Sequence, residues 1–264
     1  MITKRFVVLG AIAILPAFSQ VMPTSMERLS PRQHHPIKDR VENGDSTSTS
    51  TNWSGYAVLG TSFTTAYASW IVPASTCSSG DQYAAFWVGI DGYTSETVEQ
   101  TGTDSDCDGK TPSYYAWYEF YPNPSFEISS LTIKPGDHIA ASVVYSGTEF
   151  TITITDETTG KSFRKSSTVS GAERSSAEWI AEAPCCTARG GILPLADFGT
   201  VLFGDDSTGI AHTGYAIDST TSGVIGKFSS IEEITMATSG GTKEAVPSAL
   251  SSDGSSFSVT WASQ

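Results

Sequence analysis

From Trp53 onward, apolar and polar positions alternate in short runs broken by turn residues. The clearest run is Phe150-Thr151-Ile152-Thr153-Ile154-Thr155, where every second side chain is apolar. A period of two lays one face of a strand on a core and the other in water. Ser146-Gly147-Thr148 and Thr158-Thr159-Gly160 flank it with turn chemistry, so 137–145, 150–155 and 161–169 read as a meander. Further strands are expected over 52–58, 67–73, 84–90, 199–203, 231–238 and 257–261. No stretch of useful length carries a helical apolar period, and turn signals return about every ten residues. This rhythm predicts an all-β chain of the sandwich or jelly-roll kind rather than βαβ units. Neither a repeat nor a second domain shows in the pattern.

Some of these strands carry polar groups where packing does not ask for them. In Ala177-Glu178-Trp179-Ile180-Ala181-Glu182-Ala183-Pro184, two glutamates flank a Trp-Ile pair, although glutamate is a poor strand former. As a strand, Glu178, Ile180 and Glu182 share one face, so alternation does not choose between the glutamates. Three other segments mix bulky apolar residues with groups able to do chemistry. They are Trp87-Val88-Gly89-Ile90-Asp91-Gly92, Glu99-Gln100-Thr101-Gly102-Thr103-Asp104 and Ala116-Trp117-Tyr118-Glu119-Phe120-Tyr121-Pro122. Parity puts Trp117 with Glu119 and Gln100 with Asp104. A carboxyl beside indole rings has its pKa raised by desolvation, which suits a general acid or base. One such segment reads as a polar outer face over a Trp-lined core. Four in one β domain point to a cleft.

Composition agrees with the rhythm. Charged residues are only 16% of the 264, while Gly, Ser and Thr are abundant, the palette of a β-rich exported protein. Lys4-Arg5, an apolar run over 6–15 and Ala17-Phe18-Ser19 have the layout of a signal peptide over 1–19. That run is too short to span a bilayer, and no later segment is long and apolar enough. A secreted, extracellular product is expected. Residues 20–50 read as a short basic pro-segment and polar linker, with a disordered tail as the plainer alternative, and 51–264 as the β domain.

Charge is uneven. The net is −13, but the first forty residues hold six basic and two acidic groups; the rest hold nine basic and 26 acidic, a net of −17. Nucleic acid and anionic membranes are poor partners for such a body, whereas the basic segment suits docking on it. The four cysteines are expected to be paired in an exported chain. Cys185 and Cys186 can close on each other only as a strained vicinal ring, so a distant partner for each is the plainer expectation. No spacing suggests zinc.

Scarcity narrows the chemistry. Only His34, His35, His138 and His212 occur, the first two ahead of the β domain. Neither of the others stands in a serine-peptidase context, which disfavours a Ser-His-Asp site. Asp104-Ser105-Asp106-Cys107-Asp108-Gly109 matches half an EF-hand loop, but Tyr115 stands where the last ligand, a glutamate, is due. An acidic surface loop anchored by Cys107 is expected there, with no metal. Asp206-Ser207-Thr208-Gly209 and Asp218-Ser219-Thr220 do not match the turns of an aspartic dyad.

In order along 52–203, NWSGYAV, WVGIDG, EQTGTD, AWYEFYP, AEWI and LADFGTV resemble the glutamic peptidases (eqolisins), secreted endopeptidases that act in acid. The resemblance implies a β-sandwich, jelly-roll or concanavalin-like, of two curved antiparallel sheets with the active site on a concave face. It implies a catalytic pair, Gln100 and Glu178, supported by Trp87, Asp91, Asp104, Trp117 and Glu119. It also implies protein or peptide substrates, no cofactor and a monomer. The residue types fit the task. Glu178 can take a proton from water and pass it to the leaving amine, and the Gln100 amide can donate to the oxyanion. The pro-segment is short for the family, and Asn52-Trp53-Ser54 is a glycosylation sequon at the first strand. Two rivals keep the architecture: a glycoside hydrolase using Glu119 and Glu178, and a carbohydrate-binding module whose aromatic rings stack on sugars. Gln100 separates them, because only a peptidase has a use for the amide.

Overall fold

The structure, a computed structural model, describes residues 28–29, 32–44, 46–185 and 191–264. The expected signal peptide and Cys186 lie outside the described residues.

Antiparallel pairing follows one continuous path. It begins at Lys161–Ser167 and runs through Glu149–Asp156, His138–Ser146, Thr65–Ile71, Thr200–Phe203, Phe257–Trp261 and Lys243–Pro247. It continues through Ile231–Ala237, Trp53–Leu59, Ser176–Glu182, Ala85–Ile90, Val98–Asp108 and Thr111–Tyr121. The path folds back on itself. His138–Ser146 packs against Ala85–Ile90 and Val98–Asp108 without pairing to them, which makes the two layers of a sandwich. Alternation then assigns the faces. Phe86, Val88, Ile90, Tyr118 and Trp179 from one layer meet Trp70, Ile139, Val143, Ile152 and Ile154 from the other. Burying side chains of this size stabilises by about 1.5–3 kcal/mol each.

The opposite face of the first layer is also apolar. Trp53, Ala57, Ala85, Trp87, Val98, Trp117, Ile180 and Ile234 form a second cluster there. Ser176–Glu182 is therefore buried at every residue, core on one side and cleft on the other. Helix is confined, among the described residues, to Asp205–Thr208 and a 3-10 turn at Ile225–Lys227.

Three expectations are corrected. Residues 104–108 are not a surface loop but the end of the Val98–Asp108 strand, with Asp104, Ser105 and Asp106 buried. Pairing continues to Asp108 opposite Thr111, and a Cys77–Cys107 disulfide pins the strand. Cys77 and Cys107 are spent on each other, so neither is the distant partner expected for Cys185 or Cys186; Cys185 is itself disulfide-bonded. Finally, 32–44 and 46–50 are not a disordered tail. Thr47–Ser50 pairs in parallel with Ile231–Ala237, and 32–40 crosses the second apolar face.

Candidate active site

The strands of the first layer set their functional side chains in rows. Glu178 lies opposite Gly89, Gly89 opposite Gln100, and Gln100 opposite Glu119. Residues opposite one another in a ladder share a face. The row therefore carries a carboxyl, a gap, an amide and a second carboxyl. The next row on the same face is Ile180, Trp87, Gly102 and Trp117, and the one beyond it is Glu182, Ala85, Asp104 and Tyr115.

The gaps need glycine. A Cβ at Gly89 would lie 2.9 Å from Trp87 Cζ3 and 3.4 Å from Gln100 Cβ. At Gly102 it would lie 2.6 Å from Trp87 Cβ and 3.0 Å from Trp117 Cζ2. Glu178 and Gln100 are two strand spacings apart, ~10 Å between backbones; Gly89 between them has no side chain, and the edge of the Trp87 ring lies over it. Two long side chains can meet a shared water across that distance.

The polar groups are buried and their titration is displaced. Gln100 Nε2 donates to Glu119 Oε2 at 3.0 Å. Burial pushes the Glu119 carboxyl well above its ordinary range, and the nearby Glu182 pushes further; the N–H of His34 and the Gln100 amide partly offset this. Burial likewise raises Glu178; the Ser176 hydroxyl partly offsets this, and the charges of Asp91 and Glu99 add to it. Neither Glu178 oxygen makes a well-formed hydrogen bond among the described residues. Burying a carboxyl so weakly held is costly, a cost that packing alone does not explain. Asp104 is raised by burial and by Asp106. Tyr115 Oη donates to both, at 2.7 and 3.2 Å. Burial holds Asp106 at about 7.

Asp91 sits elsewhere. It follows the Ala85–Ile90 strand at φ 72°, a left-handed conformation that Asp tolerates. Its carboxylate accepts the N–H groups of Glu173, Arg174 and Ser175 and the Ser175 hydroxyl, at 2.7–3.2 Å. It anchors the loop that feeds the Glu178 strand.

Glu182 lines the cleft. Burial raises its pKa to about 8, and Trp87 Nε1 donates to its Oε2 at 2.8 Å. Its parity with Glu178 was the only sign of this in the sequence. Asn52, Trp53 and Tyr115 also line the face; the NWSGYAV motif holds the first two without pointing to a role in the cleft.

Over this face runs the chain's own segment 32–40. The His34 ring stacks on Trp117 at 3.5 Å and 7° between planes. Its Nδ1 is 3.3 Å from Glu182 Oε2, and burial lowers its pKa well below the ordinary value. The His34 carbonyl accepts from Gln100 Nε2 at 3.3 Å. At one end, the Arg32 guanidinium lies over the Tyr83 ring, 3.6 Å from Asp106. At the other, Asn52 Oδ1 accepts from Lys38 N at 2.8 Å and from Ser50 Oγ at 2.9 Å.

The model of the peptidase A4 family matches residues 51–246. The chain is 35% identical over 178 residues to aspergillopepsin-2 of Aspergillus niger, covering 58% of this chain and 62% of that protein. It is 40% identical over 129 residues to scytalidopepsin B of Scytalidium lignicola, covering 48% of each. It thus spans about half to three-fifths of the length of these relatives. Among solved structures, scytalido-glutamic peptidase with a transition-state analog inhibitor aligns at TM-score 0.67 and 28% identity, over 80% of this chain and 98% of that one. Aspergilloglutamic peptidase from Aspergillus niger aligns at TM-score 0.57 and 29% identity, over 69% and 99%. With most of the sandwich inside the matched span, the chain belongs to the peptidase A4 family, the eqolisin glutamic peptidases.

Proposed function

We propose that the chain is a secreted acid endopeptidase in which Glu178 activates water and Gln100 holds the oxyanion. The row Glu178, Gly89, Gln100, Glu119 carries this reading, because it sets a buried carboxyl and an oriented amide on either side of a glycine. Family membership supports it, as does the transition-state analog bound to a solved relative.

The steps follow from the groups. Glu178 takes a proton from water, and the water oxygen adds to the peptide carbonyl carbon. The oxyanion accepts from Gln100 Nε2, which already meets a peptide carbonyl at His34. Glu178 then returns the proton to the leaving nitrogen as the C–N bond breaks. Glu119 keeps the amide pointing at the oxyanion. A donor of this kind contributes about 3 kcal/mol to transition-state stabilisation. A base must be ionised; water entering an uncovered cleft removes much of the desolvation that raises Glu178. In acid, the neighbouring carboxyls stay neutral and titrate as a group with it.

On the same reading, 1–19 directs export and 20–50 is a pro-segment whose residues 32–40 cover the site until removed. No helix among the described residues is long and apolar enough to cross a membrane. The glycosidase reading gains nothing, because the Gln100 amide stands between Glu178 and Glu119 in the row.

Casein digestion in acid, with EDTA and pepstatin present, tests the function. Activity is expected to resist both reagents and to vanish in Glu178→Gln and Gln100→Ala. Full activity in either variant would remove the dyad, and EDTA sensitivity would bring a metal back. N-terminal sequencing of the active product is expected to begin beyond residue 40.

A further inference from the structure

The segment in the cleft is held chiefly by its main chain. Gln33 exchanges both backbone hydrogen bonds with Cys185, at 3.1 and 2.9 Å. The His34 N–H donates to Glu119 Oε2 at 3.1 Å, and its carbonyl takes the Gln100 amide. The His35 N–H donates to Glu182 Oε1 at 3.1 Å, and its carbonyl accepts from Trp53 Nε1 at 3.1 Å. The Pro36 carbonyl accepts from Asn52 Nδ2 at 3.3 Å, and the Ile37 N–H donates to the Gly92 carbonyl at 3.0 Å. Any extended peptide offers the same donors and acceptors at the same spacing, whatever its side chains.

Glu182 stands out in this set. Trp87 fixes one of its oxygens and leaves Oε1 aimed at the chain in the cleft. Packing alone does not call for a fully buried carboxyl at this position, and burying one is expensive. We propose that Glu182 is a substrate-binding residue: it accepts the N–H of the same peptide bond whose carbonyl Gln100 holds, without itself moving a proton, and with Trp53 and Asn52 it clamps the main chain on that side. The inference rests on the peptidase reading. It gives the second glutamate of the strand a task separate from that of Glu178, and it explains how a cleft can hold peptides of differing sequence in one register.

Two measurements test it. In the full-length chain near neutral pH, amide hydrogen exchange at His35 is expected to be protected. Glu182→Ala is expected to lose at least ~10-fold of that protection, and Glu182→Gln, which keeps one acceptor oxygen but turns its NH2 toward the other donor, is expected to lose less. Unchanged exchange at His35 in Glu182→Ala would overturn the contact. In the acid-activated protein, cleavage of a fluorescence-quenched oligopeptide is expected to show KM raised ~10-fold in Glu182→Ala, the loss of one buried hydrogen bond, with kcat within about threefold. A fall in kcat at unchanged KM would make Glu182 a proton donor to that nitrogen and overturn the clamp. If the unaltered protein cleaves no peptide, the peptidase reading fails, and the exchange data still decide whether Glu182 holds the main chain.

Discussion

Glu178 and Gln100 stand in one cross-strand row on either side of Gly89, whose missing side chain leaves room for the edge of the Trp87 ring. Strand register makes this pair, so the glycine between its members is as much a requirement as the members. Gly89→Ala is expected to lower kcat at least ~10-fold while far-ultraviolet circular dichroism stays unchanged. The added carbon, 2.9 Å from the Trp87 ring, must displace it, and such overpacking costs about 1–3 kcal/mol. Kinetics beside a thermal melt check this; an unaltered kcat would show that the gap is dispensable.

Asp91 tests the support of the site rather than its chemistry. Asp91→Ala leaves the N–H groups of Glu173, Arg174 and Ser175 without their acceptor. Stability is expected to fall by about 2–4 kcal/mol, with Asp91→Asn losing less because it keeps an oxygen and tolerates the left-handed backbone. Urea midpoints measure both.

The buried carboxyls set the sign of the pH dependence. Burial, with the charge of Asp91, raises Glu99 to about 9, and burial raises Glu182 to about 8. An acid whose pKa is higher folded than unfolded binds more protons when folded. Its contribution is complete below the unfolded value, near 4.5 for both. It is lost as pH rises toward the folded one. Stability, and with it the melting temperature, is therefore expected to be highest in acid; stability is expected to fall between about pH 5 and 9, by up to about 1.4 kcal/mol per pH unit for each group. Glu99→Gln is expected to flatten this decline. A melting temperature that rises toward neutral pH would contradict it.

The Cys77–Cys107 bond closes a loop with a sequence separation of 30. Cys77→Ser is expected to destabilise by about 2–4 kcal/mol and to loosen the strand end where Asp106 lies. Calorimetry of the variant gives the shift.

Much of the fold was legible because its signal is local. The alternation over 150–155 sits inside the observed strand Glu149–Asp156, and the parity of Trp117 with Glu119 holds in the ladder. The face shared by Glu178 and Glu182 was equally plain. What joins Glu178 to Gln100 was not, since it depends on register between strands distant in sequence. The run 104–109 looked like a loop because carboxylates are rare in strands; the Tyr115 hydroxyl and burial in a neutral form are what permit it. Segment 32–40 looked unstructured because it carries no apolar period. Its seat is built by cleft side chains that grip its backbone, and no composition betrays that.

Asn52 is 1% exposed, with its amide shared among Pro36, Lys38 and Ser50. In the chain that still carries 32–40, a sugar on that nitrogen has no room. The sequon can be read only on a chain that has not yet folded, where it competes with closure of the first strand. Yield will thus depend on the expression host: a bacterium that leaves Asn52 bare permits the fold, and a cell that modifies the emerging chain quickly turns product into material for degradation.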